Sequence, residues 1–108
     1  MSWKIILFES RRGDKPVEEF INSLSNSTAA KVAHNLDLLE SYGYQLGMPH
    51  VKKIHKEIFE LRIRGIDEIR VLYVFHKNRI VLLHGFKKKS QKTPEKEILT
   101  ALKRLALL

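Results

Sequence analysis

The sequence predicts an α+β domain whose elements follow the order β-α-α-β-β-β-α. Two patterns carry this prediction. Between residues 16 and 43, apolar side chains recur three and four positions apart, as on one face of a helix, whereas from residue 59 they alternate with polar ones, as along a strand. The later strands are joined by connections too short for crossover helices, so we expect an antiparallel sheet. A chain of 108 residues has the length of a single domain, spanning 1–108.

The first part of the chain is predicted to be a strand followed by a helical hairpin. Residues 3–8 form a short apolar run, which is typical of a strand. Asp14 can cap a helix whose first turn contains Pro16. A second helix begins after the capping residues Ser25–Ser27 and ends near Gly43, and two helices joined so closely pack antiparallel. Their apolar positions are Val17, Phe20, Ile21, Leu24, Ala29, Val32, Ala33, Leu36 and Leu39.

The second part is predicted to be a meander closed by a helix. Its strands cover residues 59–64, 69–76 and 80–86. A loop over 44–50 precedes them, and Lys77–Asn78 forms a two-residue hairpin turn. Thr93 is expected to cap a final helix that Pro94 opens. With the first strand, these elements make a sheet of about four strands, on which the helical hairpin and the closing helix pack.

Composition excludes several classes of protein. The chain has no cysteine, so it has no disulfide, no thiol nucleophile and no Cys-ligated zinc. Apolar runs reach only about five residues, against about 18 for a membrane span, so we expect a soluble cytoplasmic protein without a membrane partner. The five histidines form no pair at metal-ligand spacing. We therefore expect neither a metal site nor a cofactor.

The positive charge is concentrated in the second half of the chain. The whole sequence has a net charge of +8. Residues 1–51 hold 5 basic and 6 acidic side chains, whereas residues 52–108 hold 15 basic and 6 acidic ones. This asymmetry favours a polyanionic partner such as RNA or DNA. The alternative is a well-solvated surface that binds nothing.

The basic side chains of the predicted sheet form a constellation suited to phosphate chemistry. Arg62 and Arg70 occupy neighbouring strands across a short turn, His84 lies on the next strand, and Lys87–Lys89 follow where that strand ends. An arginine fork binds phosphate through two hydrogen bonds, and lysine supplies a point charge. Metal-free RNA cleavage needs such cations, a base for the 2′-OH proton and an acid for the leaving 5′-oxygen.

Each of these residues also has a purely structural interpretation. The two arginines can pair with Glu60 and Glu68, and a polar-face residue such as Arg70 is expected to bury little. His84 can be a satisfied core histidine, and the three lysines can be a solvated loop. Tyr73 shares the apolar face of its strand, which favours the core.

Three segments together resemble a known family. They are Glu60–Arg62, Ile69–Tyr73 and Leu83–Pro94. They look like the phage-derived HigB-like branch of the RelE/ParE toxin superfamily, and the resemblance covers nearly the whole chain. It implies a RelE-like fold and the toxin of a type II toxin–antitoxin module.

The resemblance also implies an activity and its residues. Similar toxins cut messenger RNA on the ribosome through attack of the 2′-OH on the adjacent phosphate. The implied catalytic residues are Arg62, Arg70, His84 and Lys87. Further basic residues are expected to bind RNA, namely Arg64, Lys88, Lys89, Lys52 and Lys53. Residues 87–108 lack the catalytic tyrosine that RelE-type members often carry, so the base or acid must be His84, a lysine or Tyr73.

The resemblance further implies partners. These are the ribosome, messenger RNA and a HigA-like helix-turn-helix antitoxin, in an inactive complex of two toxins and two antitoxins. The antitoxin can cover Arg62, Arg70 and Lys87 directly or block ribosome entry from a remote site, and the resemblance favours the second route. ParE-like relatives share the fold but inhibit gyrase, so a non-catalytic gyrase inhibitor or a basic nucleic-acid-binding module is the alternative function.

Overall fold

A computed structural model describes residues 2–108 and confirms the α+β class, with three helices and a five-stranded sheet. The strands are β1 Lys4–Leu7, β2 Val51–Lys53, β3 Phe59–Ile63, β4 Ile69–His76 and β5 Arg79–Lys87. The helices are α1 Pro16–Asn22, α2 Asn26–Tyr42 and α3 Glu95–Leu105, and a single 3₁₀ turn, Gly43–Gln45, follows α2.

The sheet has the order β1-β5-β4-β3-β2 and is mixed. Strands β2 to β5 form the predicted antiparallel meander, but β1 lies parallel to β5. The structure adds one strand, β2, to the predicted sheet of about four strands and pairs the first strand parallel to β5. The chain leaves β1 through the helical hairpin and returns to the far edge, which allows the parallel pairing. Strand β2 has only three residues, too few to show alternation.

Helices cover the two faces of the sheet unequally. The hairpin of α1 and α2 packs on one face over a large apolar cluster that includes Val32, Leu61 and Tyr73. On the other face, α3 packs against β4 and β5, where Ala101 meets a smaller cluster. Because α3 lies over β4 and β5, a groove remains beside it along β2 and β3.

Some of the turns and helix caps predicted from the sequence are present in the structure, and two are not. Ser25 caps α2 through its side chain, which accepts a hydrogen bond from the Thr28 amide, and Gly43 ends that helix with φ 50°. Lys77 and Asn78 have φ of 50° and 62°, as a type I′ hairpin turn requires. Two cap predictions were wrong. The residue preceding α1 is Lys15 rather than Asp14, and the residue preceding α3 is Pro94, with Thr93 turned toward the sheet.

Candidate functional site

A cavity of about 470 Å³ lies beside α3 on the open part of the sheet. We call it the basic groove. Its charged lining residues are Lys52, Lys53, Glu60, Arg62, Lys88 and Lys92. Five of these six are cations, so the groove presents a strong positive potential to a ligand.

The strand register brings these charges to one face. Lys52 lies opposite Glu60, and Arg62 lies opposite Arg70, so all four residues share the face on which α3 packs. Arg62 and Glu60 are two positions apart on β3, the spacing that places side chains on the same side of a strand. The groove therefore follows from alternation along β2 to β4.

Glu60 is the carboxylate at the base of the groove. Its side chain is 0% exposed, although it stands among cations that reach solvent. Its Oε1 accepts a hydrogen bond from Arg62 Nε at 3.1 Å and lies 3.7 Å from Arg70 Nε. Its Oε2 accepts a hydrogen bond from the Thr93 hydroxyl. These partners satisfy a buried charge that would otherwise be costly.

Arg62 is the arginine that faces the groove. Its side chain is 15% exposed, and its Nε is bound to Glu60. Within residues 2–108, its terminal nitrogens make no hydrogen bond to protein. A guanidinium held by Nε can offer those two nitrogens to a phosphate as a fork.

Arg70 has a different environment, and the expectation that it buries little was wrong. Its side chain is only 3% exposed. Nη1 donates to the Ile69 carbonyl at 3.2 Å and Nη2 to Glu68 Oε2 at 3.3 Å. Burial lowers its pKa, Glu60 and Glu68 oppose this shift, and the group remains a cation because arginine does not deprotonate in proteins. Arg70 thus acts on the groove from beneath, through its charge.

Lys88 is a lysine of the groove whose ammonium is influenced by the charges of Glu60, Arg62 and Arg70. Its amide donates to the Glu68 carbonyl at 2.8 Å, which fixes the start of the segment after β5. Burial lowers the pKa of the Lys88 ammonium, and the neighbouring Arg70 lowers it further, while Glu60 raises it. A lysine in this position can exchange a proton nearer neutral pH than an ordinary lysine.

The other expected RNA-binding residues divide between the groove and its surroundings. Lys52 and Lys53 are exposed on β2 and line the groove. Lys53 lies opposite Phe59, however, so its side chain turns to the other face of the sheet, where Nζ is 5.8 Å from the centre of the Phe59 ring. Arg64 is exposed beyond the end of β3. With Arg62 it lines a second cavity, of about 400 Å³. Arg62 therefore stands between two cavities that one polynucleotide could follow.

Lys87 and Lys89 lie away from the groove. Because successive strand residues point to opposite faces, Lys87 projects from the other side of β5 to Lys88. Its Nζ is 3.8 Å from Asp67 Oδ2. Both lysines line a separate cavity near Phe20 on α1. Lys88 lines both this cavity and the basic groove, whereas Lys87 and Lys89 line only this one, so Lys88 and not Lys87 shares the groove with Arg62.

His84 lies beneath α3 and not in the groove. Its Nε2 is 2.8 Å from Glu97 Oε1, and its Nδ1 is 3.3 Å from Arg104 Nη1. Arginine only donates, so Nδ1 accepts and Nε2 carries the hydrogen that is donated to Glu97. Arg104 also donates to the Leu83 carbonyl at 2.8 Å. Both ring nitrogens are therefore used to attach α3 to β5.

This arrangement predicts a structural effect for His84→Ala. We expect the free energy of unfolding to fall by about 1–3 kcal/mol, because Glu97 and Arg104 lose a partly buried partner. In a double-mutant cycle with Glu97→Ala, the two losses should be non-additive by about 1 kcal/mol. Urea denaturation measures both quantities, and Glu95→Ala, an exposed glutamate of the same helix, is the matched control. Strictly additive losses would show that the His84–Glu97 bond contributes no stability.

Tyr73 lies in the core on the opposite face of the sheet. Its side chain is 1% exposed and stacks on Phe59, with ring centres 5.6 Å apart. Burial raises the pKa of its phenol well above the ordinary 10.0. Tyr73 is therefore poorly placed for proton transfer in the groove.

Sequence reasoning missed two polar residues of the groove. The sequence alone indicates only an ion-pair partner at Glu60 and only a helix cap at Thr93. The hydrogen bond that joins them spans 33 positions of the chain. The sequence does show a carboxylate two positions before Arg62. The complete burial of this carboxylate depends on the segment after β5, which is distant in the chain.

Residues 2–108 contain no group of three or more acidic or histidine side chains placed to hold a metal ion. None of the helices in this range has the length and apolarity needed to cross a membrane.

The fold and the groove together define an α+β domain of the RelE-like kind with a cationic cleft beside its last helix. The chain belongs to the family described as phage derived protein Gp49-like (DUF891), whose profile matches residues 19–106. This is a toxin-like family of the RelE/HigB type. The matched region runs from α1 to the end of α3 and includes every charged residue of the basic groove. No curated protein matches the chain.

Proposed function

We propose that this protein is the toxin of a type II toxin–antitoxin module and that it cleaves messenger RNA on the ribosome without a metal. One observation carries the proposal: Arg62 presents two free terminal nitrogens in a groove that also contains Lys88. Family membership supports the toxin part of the proposal. The groove supports the chemistry, because phosphoryl transfer depends chiefly on positioned cations and proton transfer.

The proposed reaction is an internal transesterification. Neutral Lys88 accepts the 2′-OH proton, and the 2′-oxygen forms a bond to the adjacent phosphorus. Arg62 binds the non-bridging oxygens as negative charge develops on the phosphorane, with the buried charge of Arg70 behind it. The bond to the 5′-oxygen then breaks, and that oxygen takes a proton from an exposed ammonium of the groove. The products are a 2′,3′-cyclic phosphate and a 5′-hydroxyl end.

The other cations of the groove serve binding in this proposal. Lys52, Lys53 and Lys92 neutralise flanking phosphates, and Arg64 extends the contact into the neighbouring cavity. His84, Lys87 and Lys89 have no catalytic part in it, because they lie beneath α3 or on the other side of β5.

A toxin of this kind requires an inhibitor in its own cell. Membership of the family is consistent with an antitoxin partner. We infer a helix-turn-helix protein of the HigA type, in a complex of two toxins and two antitoxins, which keeps the groove from ribosome-bound message in the cytoplasm.

The deciding experiment incubates the purified protein with ribosomes that are translating a defined message. Cleavage products with 2′,3′-cyclic phosphate ends, formed in the presence of a chelator, are the expected result. Intact message together with inhibition of DNA gyrase would overturn the proposal in favour of the ParE-like alternative. Binding to RNA without either effect would leave a basic nucleic-acid-binding module.

The pH dependence of cleavage tests the role of Lys88. Because only neutral Lys88 accepts a proton, kcat/KM should rise with pH and level off at a pKa below the ordinary 10.5 of lysine. Single-turnover rates at a series of pH values measure this profile. Lys88→Ala should lose the rise along with most of the rate, whereas Lys103→Ala, a lysine in the last turn of α3, should keep the shape of the parent profile. A rise retained by Lys88→Ala would assign the base elsewhere.

A further inference from the structure

The buried carboxylate of Glu60 has no part in the reaction proposed above. A fully buried charge is expensive to hold, and an apolar residue of similar size would serve the fold at least as well. Glu60 also reduces the positive charge of a groove that is proposed to bind an anion. The presence of Glu60 is therefore not explained by its contribution to the stability of the fold.

The contacts of Glu60 to the two arginines are made at Nε and not at their terminal nitrogens. Arg62 Nε lies 3.1 Å and Arg70 Nε 3.7 Å from the same oxygen, Oε1. In Arg62 this contact fixes the plane of the guanidinium while both terminal nitrogens stay available. In Arg70 the Nε is buried without a hydrogen-bond partner among the described residues, so Oε1 supplies it with charge compensation only.

The second oxygen of Glu60 holds the opposite wall of the groove. Oε2 accepts the hydrogen bond from Thr93, the residue before the Pro94 cap of α3. Residues 88–94 link β5 to α3, and Lys88 is the first residue of this segment. Glu60 therefore contacts both parts of the site. One oxygen holds Arg62 on β3, and the other holds, through Thr93, the segment that carries Lys88.

Together these contacts point to a single role. We propose that Glu60 is the positioning residue of the basic groove, aiming the Arg62 fork at the phosphate and, through Thr93, holding the segment that carries Lys88. This inference rests on the proposed function in so far as it names a phosphate.

The charge of Glu60 has a second consequence, for the protonation of Lys88. The charged groups around Lys88 are Glu60 and Arg62 of β3, Arg70 of β4, Glu68 of the turn between them, Lys52 and Lys53 of β2, and Lys92 of its own segment. Lys88 also lines the cavity near Phe20, where Lys87 and Lys89 and, from α3, Lys96 and Glu97 are the charged groups. On the groove side, α3 contributes the apolar Ile98. Burial and Arg70 lower the pKa of Lys88, and Glu60 opposes them. Loss of the Glu60 charge should therefore lower this pKa further.

The test replaces Glu60 by glutamine, which keeps the shape and removes the charge. Lysines are labelled by reductive ¹³C-methylation, and the Lys88 signal is titrated by NMR. We expect its midpoint to fall in Glu60→Gln, because the substitution removes a charge that raises the Lys88 pKa. Glu68→Gln is the matched control and should shift it less, because Glu68 is 45% exposed and solvent screens it. An unchanged midpoint in a folded Glu60→Gln protein would overturn the role in charge.

Thr93 provides a second variant in case Glu60→Gln does not fold. Thr93→Val removes the donor to Oε2 and leaves the carboxylate charge in place. We expect it to lower kcat about tenfold with little change in KM, since misplacing a catalytic group weakens the transition state more than binding. Thr93→Ser, which keeps the hydroxyl, should restore the rate. Equal rates for the valine variant and the parent would overturn the positioning role.

The two readouts separate the inference from the function on which it rests. The NMR titration requires no RNA cleavage. A lowered Lys88 midpoint in a protein that cuts no RNA would contradict the proposed function but not the coupling of Glu60 to Lys88. Cleavage by the parent with an unshifted midpoint in Glu60→Gln would contradict the inference alone.

Discussion

Arg62→Ala is expected to lower the rate of message cleavage by about 10²–10³-fold, the scale on which one preorganised transition-state donor acts. The terminal nitrogens of Arg62 are free of protein hydrogen bonds in the described chain, so alanine removes contacts that form only with the phosphate. The fold should persist, because Glu60 keeps Arg70 and Thr93 as partners. Single-turnover cleavage and urea denaturation measure the two effects separately.

Two controls sharpen this prediction. Arg62→Lys keeps the charge but loses the fork, so it should recover only part of the rate. Arg12→Ala removes an arginine that is 86% exposed and pairs with Asp14 in the turn after β1, and its rate should match the parent. A folded Arg62→Ala protein that cleaves at the parent rate would remove Arg62 from the site.

Arg70→Ala is expected to destabilise the fold, by about 3 kcal/mol, in contrast to Arg62→Ala. Breaking a buried ion pair leaves an uncompensated charge, and Arg70 is 3% exposed beside the fully buried Glu60. The substitution also opens a cavity at β4, the central strand of the sheet. The midpoint of urea denaturation should fall accordingly, with an unchanged slope.

A compensating substitution tests the cause of this loss. Arg70→Met combined with Glu60→Leu removes both charges and keeps the volume, so the double variant should regain much of the stability lost in Arg70→Ala. It should nevertheless remain inactive, because the groove then lacks both the charge behind the phosphate and the group that orients Arg62. A stable Arg70→Ala protein would show that the buried pair contributes little to the fold.

The two arginines therefore have different roles in the proposed site. Arg62 and Arg70 face each other in the sheet and share one carboxylate oxygen. Arg62 reaches solvent through the groove, whereas the bonds of Arg70 to Ile69 and Glu68 hold it below the surface. In the proposed reaction, this arrangement keeps a fixed positive charge beneath the phosphate while the arginine that contacts the phosphate stays accessible.

Much of the fold could be predicted from local pattern. Alternation along β3 and β4, the apolar run of β5 and the short connections between these strands predicted the antiparallel meander. The helical spacing between Val17 and Leu39 predicted the hairpin on the same ground. Lys77 and Asn78 indicated a tight turn because the chain there must adopt positive φ. These features depend on neighbours a few positions apart, so one sequence is enough to show them.

The positions of the candidate residues depended on contacts between distant segments. Arg62 and Arg70 occupy equivalent places in the pattern, and only the packing of the sheet makes one accessible and the other buried. His84 follows a bulge in β5 that leaves Leu83 without a pairing partner in the register with β4. Glu97 and Arg104 then hold its ring beneath α3.

The sequence by itself determined the class of fold, the excess of cations in the second half and the set of residues from which a phosphate site could be built. Only the tertiary structure decided that Lys88 and not Lys87 joins Arg62, and that Glu60 and Thr93 complete the groove. The physical reason is that burial and pairing of a charge are set by whatever packs around it. Here, those neighbours come from β2, β4 and the segment before α3, which lie far from β3 in the chain but adjacent to it in the fold.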